Sequence, residues 1–472
     1  MTDLASELRD IERKLFEIPD EKVAQLTLLI ERSRAVVLSA ALADAALGTL
    51  RPRLAKTRPP RHLTLQRIFC HPFEDLLILP EDGDKQFGRI SRASLAPCWE
   101  FILQSLDQSS VKELEASIRT STAPAIGASA DPRIPKLGAT LWGIAARRLR
   151  EDVSQADSDP AHRAALVARL GSETAYLDLV DMMCMLEIAG ALETLRDELS
   201  PKPVGRLLEA QIEAIREDYT ALCASGAGLP GYMIAFILSR MSDPFQALPI
   251  FDGLGDMPTG IAGLKPGQYA RRMIAGDSKR FFKSIGRADA GKMEAGNIAG
   301  MVDDFVVMIG RLKADGMADG PQPEMEAAGG KLRDMVKSGV LAGADVKLLD
   351  ALATPATIEP GQEAAVKEAI FNAKVQAEDR VYAIQKVAKV ASGIGAEKDV
   401  GDTLKQLGGQ IEQGGGTLVA DIKAGKLNGV GKDAAKQQLY GAVRMLELVS
   451  GAAAAGKLMK DGLAAIEKMP GA

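Results

Sequence analysis

Residues 366–391 read VKEAIFNAKVQAEDRVYAIQKVAKVA, and apolar or small side chains recur along them at steps of three and four. Such steps return to one side of an α-helix at every turn. The positions on that side are Val366, Ile370, Ala373, Ala377, Val381, Ile384, Ala388 and Ala391. The pattern predicts one long helix of about seven turns. Leu439, Val443, Leu446 and Val449 repeat this spacing nearer the C-terminus and predict another helix.

The first 50 residues show the same periodicity in two parts. Leu4, Leu8, Ile11, Leu15 and Ile18 form one apolar face, and Pro19 interrupts it. Asp20 can cap a second helix, whose apolar face carries Val23, Leu26 and Ile30. We therefore expect an N-terminal helical hairpin over residues 1–50.

The composition favours an all-α, multi-helical protein with two or three helical domains. Of the 472 residues, 46% are hydrophobic but only 4% are aromatic, so the core depends on aliphatic side chains. The net charge of −5 disfavours nonspecific nucleic-acid binding by the whole chain. Four widely spaced cysteines do not suggest a disulfide framework, and no apolar run has the length of a membrane span. We expect a cytoplasmic protein, and the composition does not fix its oligomeric state.

Proline, charge and glycine content divide the chain. Residues 51–62, RPRLAKTRPPRH, predict a basic, proline-rich linker. Of the 46 glycines, 9 precede residue 226 and the other 37 lie at or after it. This shift predicts a helical domain with an irregular start over 63–225 and a Gly/Ala-rich helical domain over 226–472. Many of the later glycines should lie between helices or where two helices approach closely.

Residues 64–110 have the weakest helical pattern. Leu76 to Leu79, the turn residues PEDGDK and then QFGRIS can form a small β-hairpin. Alternatively, Pro72 opens a short helix with Glu74 and Asp75 in its first turn. The sequence does not separate these two interpretations.

Two glycine-rich motifs resemble nucleotide-binding loops only in part. The run from Gly286 to Lys292 has the spacing of a phosphate-binding loop, but Met293 replaces the hydroxyl residue that holds Mg²⁺. The letters of Gly226 to Gly231 match a dinucleotide fingerprint, but they follow a predicted helix and not a strand. Neither motif predicts a cofactor.

Groups that could hold a metal or catalyse a reaction are sparse. Cys70, His71, His62 and Cys98 are close in sequence but lack the C-x-x-C spacing of zinc sites. We interpret the carboxylate pairs Asp178/Asp181 and Asp303/Asp304 as residues of helix surfaces. We therefore assign no catalytic residue, cofactor or metal ligand from the sequence.

Two basic stretches are the clearest candidates for binding. Arg51 to Arg67 carries six Lys or Arg and no acidic residue, and Lys265 to Lys292 carries eight against Asp277 and Asp289. Cations interleaved with aromatics can hold phosphate groups of a membrane surface or a nucleic acid. The candidate anion-binding residues are Arg271, Arg272, Lys279, Arg280 and Lys283.

Three hypotheses for the function follow. The first is a non-enzymatic interaction or regulatory protein that presents helical faces to an unidentified protein partner. The second is an enzyme with a carboxylate-based or Cys70-based site between helices. The third is a peripheral binder of anionic membrane or nucleic acid. The segments Cys70–Trp99 and Lys265–Lys292 are the places where a site is expected first.

Overall fold

The protein is all-α and multi-helical, as the sequence predicts. The computed structural model describes residues 14–15, 18–33, 46–51, 53–54, 63–80, 85–86, 88–121, 131–225, 229–255, 264–344, 363–426 and 432–469. Of the predicted N-terminal hairpin, most of the first helix lies outside these residues. The second helix is present as α1, Asp20–Ser33, and it buries Val23 and Ile30.

The chain divides into two compact units, one of residues 51–277 and one of residues 1–50 with 278–472. The boundary lies within a helix, Pro266–Arg287, and not at the glycine shift near residue 226. The domain boundaries that the composition suggests therefore stay a prediction.

The unit of residues 51–277 consists mainly of α-helices. They are α2 (Leu65–Cys70), α3 (Leu95–Ser105), α4 (Gln108–Thr120), α5 (Arg133–Ser158), α6 (Pro160–Leu170), α7 (Glu173–Glu187), α8 (Ala189–Glu198), α9 (Glu209–Ser225), α10 (Leu229–Arg240), α11 (Leu248–Asp252) and α12 (Pro266–Arg287). Asp159 caps α6, which Pro160 opens, and Ser172 caps α7. α5 packs along α7, and the indole Nε1 of Trp142 on α5 donates a 2.8 Å hydrogen bond to the carbonyl of Ile68.

Both interpretations of residues 64–110 are realised in part. Pro72 lies in the first turn of a 3-10 helix, His71–Leu76, as the helical alternative predicts. Strands β1 (Leu77–Ile78) and β2 (Ile90–Ser91) pair with each other, but they run parallel. The predicted β-hairpin is therefore wrong in its topology. A tight turn can join antiparallel strands, whereas parallel strands need a crossover connection.

The unit that contains residues 278–472 is also helical. Its helices after α12 are α13 (Ala295–Ala314), α14 (Gln322–Met335), α15 (Glu363–Val390), α16 (Glu397–Lys423), α17 (Lys432–Ser450) and α18 (Ala452–Glu467), and a π-helical turn, Val336–Leu341, follows α14. α16, α17 and α18 pack against one another.

The long helix predicted over 366–391 is α15, and most of its described inner positions are buried. Ala377, Val381 and Ile384 are fully enclosed, whereas Ala388 is exposed and Val387 is buried in its place. Close approach of helices explains two glycines of this unit: a Cβ at Gly415 would lie 2.6 Å from Leu458, and one at Gly462 would lie 2.3 Å from Leu439.

Candidate functional site

A buried lysine lies between two carboxylates of α7. The Nζ of Lys85 donates a 2.6 Å hydrogen bond to Oδ2 of Asp181 and another to the carbonyl of Arg89, and it lies 2.7 Å from Oδ1 of Asp178. The side chain of Lys85 is 13% exposed and that of Asp178 is 0% exposed. Lys85, Asp178, Asp181 and Tyr232 together are called the Lys85 cluster below.

The other oxygens of the two carboxylates accept hydrogen bonds from nearby elements. Asp178 Oδ2 accepts from the amide of Ser91 at 3.1 Å and from the hydroxyl of Ser94 at 2.5 Å. Asp181 Oδ2 also accepts from the amide of Gly88 at 3.2 Å, and Asp181 Oδ1 accepts from the hydroxyl of Tyr232 on α10 at 2.7 Å. The cluster therefore fastens residues 85–94 to α7 and α10.

Gly88 makes part of this geometry possible. Its φ of +67° lies in the left-handed region, where a side chain is strained. A Cβ at this position would also lie 3.1 Å from the Cβ of Ala235 on α10. Glycine thus allows the backbone amide to point at Asp181 while the chain passes close to α10.

Burial dominates the electrostatics of the cluster. Desolvation raises the pKa of Asp181 above its usual range, although Lys85 and Tyr232 act in the opposite direction. Burial and the neighbouring Asp181 raise the pKa of Tyr232 well above 10.0. The phenol therefore stays protonated and serves as a hydrogen-bond donor.

A second set of contacts joins the same segment to α12. Arg89 donates to Asp277 through Nε at 3.1 Å and through its terminal nitrogen, and Gln86 donates to the same carboxylate at 3.1 Å. Gln86 also donates to the carbonyl of Met273 at 3.1 Å. Lys85 and Gly88 thus make polar contacts with α7, and Gln86 and Arg89 make them with α12.

Asp75, in the 3-10 helix His71–Leu76, is the centre of another charged group. It contacts Arg196 on α8 at 3.0 Å, Arg240 at the end of α10 at 2.6 Å and Lys202 at 3.0 Å. Its side chain is 12% exposed. Burial alone would raise the pKa of Asp75, but the three cations lower it below its ordinary value. We call these four residues the Asp75 cluster.

His71 and Glu193 adjoin the Asp75 cluster. The Nε2 of His71 lies 3.0 Å from Oε2 of Glu193, and Nδ1 lies 3.8 Å from Oε2 of Glu74. Arg196 links the two groups, because it also contacts Glu193 at 3.1 Å and donates to the backbone carbonyl of His71 at 2.6 Å.

The predicted anion-binding residues all lie on α12, but they differ in their contacts. Arg271 pairs with both carboxylate oxygens of Asp252, at 2.6 and 2.8 Å, and Arg280 is also engaged. Arg272 is exposed, and Lys279 and Lys283 are half-buried. Within the described part of the chain these last three form no ion pair with an acidic side chain. Their spacings of seven and four place them on one face of the helix.

The interpretation of Asp178 and Asp181 as surface carboxylates was wrong. Both are buried, because Lys85 and several hydrogen-bond donors offset the cost of removing them from water. The sequence carried a signal for this: the two carboxylates stand three residues apart in YLDLVDMMCML, an otherwise apolar stretch. Asp303, of the other pair, contacts Lys386 at 3.5 Å.

Burial holds Cys70, Cys98 and Cys184 in the thiol form. Desolvation raises the pKa of Cys70 to about 12 and that of Cys184 to about 11, and it raises the pKa of Cys98 further. Among the described residues, no group of three or more His, Cys, Asp or Glu side chains is arranged to hold a metal ion. His62, from the predicted zinc-like group, lies outside those residues.

Comparison with known proteins identifies no relative of this chain. The chain matches no protein-family model, no curated protein and no solved structure. Within the described ranges, no helix is both long enough and apolar enough to cross a membrane.

Proposed function

We propose that this chain is a cytoplasmic, non-enzymatic helical protein that acts through contacts with a protein partner. One observation carries the proposal: the charged side chains of the Lys85 cluster contact one another, and both oxygens of Asp181 accept hydrogen bonds from other groups of the protein. The ammonium of Lys85 has three protons, and three oxygens surround it, from Arg89, Asp178 and Asp181.

These internal contacts argue against the enzyme hypothesis at the Lys85 cluster. A general acid or base must come within hydrogen-bond reach of its substrate. Both oxygens of Asp181 already accept hydrogen bonds, and the ammonium of Lys85 contacts two carboxylates. Cys70 is no better suited, since its raised pKa suppresses the reactive thiolate. We infer instead that the cluster holds the irregular segment around Lys85 and Ser94 against α7.

Two helices of the unit that contains residues 278–472 expose large apolar side chains for such contacts. Leu29 on α1 is 60% exposed, and Val307 on α13 is 58% exposed. Aliphatic side chains in the centre of an interface contribute by leaving water. We expect one or both of them to contact the partner.

Affinity purification from the native cell after crosslinking tests the proposal. We expect a reproducible protein partner whose recovery falls at least tenfold for Leu29→Glu or Val307→Glu, because a buried charge opposes association. Lys112→Glu, at an exposed position of the other unit, is the control and should recover the partner normally. Isolation of the chain as a lone monomer with a bound small molecule would contradict the proposal.

A second candidate function is binding of phosphate-rich polyanions through α12. The observation that favours it is the row Arg272, Lys279 and Lys283, for which the described residues provide no acidic partner. Cations without internal partners on an acidic chain are free to displace counterions from phosphates. Arg271 and Arg280 do not enter this proposal, because both are engaged.

Binding to a 20-nucleotide RNA and to phosphatidylserine vesicles, each measured at several salt concentrations, tests this candidate. We expect the triple variant R272Q/K279Q/K283Q to bind about tenfold more weakly at low salt and with a shallower salt dependence. The control K112Q/K136Q/K405Q removes the same charge from exposed positions elsewhere and should bind like the unchanged protein. Equal losses in the two variants, or no binding of the unchanged protein at low salt, would exclude α12 as the binding face.

A further inference from the structure

Charged contacts join the 3-10 helix His71–Leu76 to α8. His71 reaches Glu193 with Nε2 and Glu74 with Nδ1, at 3.0 and 3.8 Å, and its side chain is 16% exposed. Arg196 extends from the same face of α8 to Glu193 and to Asp75. The imidazole is therefore placed between two carboxylates and close to one guanidinium.

Charge counting shows why the protonation state of His71 matters here. The anions of this region are Glu74, Asp75 and Glu193, and its permanent cations are Arg196, Lys202 and Arg240. With a neutral imidazole, the three anions balance the three cations. A proton on His71 adds a positive charge at a point where two carboxylate groups face it directly.

The other elements packed against the 3-10 helix place no competing charge on His71. α10 contributes Arg240, which acts on Asp75, and α2 contributes Arg67, whose charge acts on Asp131. The carboxylates of α7 are engaged elsewhere: Asp178 and Asp181 with Lys85, Glu173 with Arg163, and Glu187 with Arg150. Glu74, Glu193 and Arg196 are thus the charged groups that act on the protonation of His71.

We propose that His71 is a pH-sensitive clamp, which holds the 3-10 helix His71–Leu76 to α8 more tightly when its imidazole is protonated. The neutral imidazole can still donate one hydrogen bond to Glu193, but it loses the attraction of the charge. Deprotonation therefore loosens the attachment of the 3-10 helix without breaking every contact.

The electrostatics of the site support the direction of the effect. Burial lowers the pKa of His71, as does Arg196, but the contacts with Glu193 and Glu74 outweigh them and raise it above 6.5. Because the folded-state pKa is above the unfolded value, the stabilisation is complete below about pH 6.5. It is lost as the pH rises through the folded-state pKa.

NMR titration of the histidine ring signals in the full chain is the direct test. The chain has three histidines, so His71→Gln identifies the signal by its loss. We expect His71 to titrate above pH 6.5, and Glu193→Gln to lower its pKa by about 1 unit through loss of the facing charge. Titration at or below 6.5 in the unchanged protein, or a pKa unmoved by Glu193→Gln, would overturn the proposal.

Thermal unfolding gives an independent readout. Glutamine can donate to Glu193 but carries no charge, so His71→Gln removes the titratable group alone. We expect its Tm to be lower than that of the unchanged protein by about 2–4 °C at pH 6, and equal to it at pH 9. His162→Gln, on α6, is the control for loss of a histidine outside this site. A deficit of His71→Gln that is equal at pH 6 and pH 9 would mean that the residue has a packing role only.

Discussion

Lys85→Met should lower the free energy of unfolding by about 3–5 kcal/mol at pH 8, which is the usual cost of leaving a buried charge without its partner. The methionine fills a similar volume but supplies no cation. Asp178 and Asp181 would then face each other, fully buried, with only neutral donors around them. Chemical denaturation followed by circular dichroism measures the effect, and the unit of residues 51–277 should unfold first.

The pH dependence of this variant has a definite sign. Burial already raises the pKa of Asp181 in the presence of Lys85, and loss of the cation raises it further. A carboxyl group with a raised folded-state pKa takes up a proton more readily in the folded state, so folding is favoured as the pH falls. We therefore expect Lys85→Met to regain much of its stability between pH 8 and pH 5, relative to the unchanged protein.

Asp181→Asn separates the charge effect from packing. With one carboxylate neutralised, Lys85 and Asp178 balance one to one, so this variant should lose only about 1 kcal/mol. The double variant Lys85→Met/Asp181→Asn should be more stable than Lys85→Met alone. Glu151→Ala, which breaks the exposed pair with Arg148, is the surface control and should cost less than about 1 kcal/mol. If Lys85→Met cost no more than Glu151→Ala, the cluster would have no ordering role.

Asp75→Ala should be the other strongly destabilising change, with a loss of about 3 kcal/mol. Among the described residues Asp75 is the only carboxylate in contact with Arg240, whose side chain is buried. Arg196 would keep Glu193 as a partner, whereas Arg240 would keep only backbone carbonyls such as that of Leu199, at 3.1 Å. A buried guanidinium with neutral acceptors alone is costly.

Lys202→Met is the matched control for this prediction, because it removes the exposed partner of the same carboxylate. It should cost less than about 1 kcal/mol, since an ion pair open to solvent contributes little. Denaturant titration at pH 7 distinguishes the two variants. Equal losses for Asp75→Ala and Lys202→Met would show that Arg240 does not depend on Asp75.

Local sequence patterns were sufficient to predict several of the helices. α1 and α15 were predicted from three/four spacing and, for α1, from a capping residue, and these signals act within a few residues of sequence. The pairing of β1 with β2 was not predictable in its direction, because two-residue strands carry no periodicity. Whether Ala388 or Val387 faces the core depends on the neighbouring helices and not on α15 alone.

The partners within the charged clusters could not be predicted from the sequence. The apolar sequence around Asp178 and Asp181 indicated that they are buried, but the lysine that pairs with Asp181 is 96 residues away from it. The basic row on α12 was visible as composition, but only the structure separates the engaged Arg271 from Arg272.

Long amphipathic segments become helices with an aliphatic core because helix periodicity and capping are local properties of the chain, so the sequence alone predicts them. Which charges are removed from water and which remain on the surface depends on the folded structure. That outcome depends on distances between residues far apart in sequence, since a carboxylate can be buried only where a cation and several hydrogen-bond donors converge on it. The 3/4 spacing of residues 366–391 thus establishes the fold class, whereas the Lys85 and Asp75 clusters and the His71 clamp exist only in the folded protein.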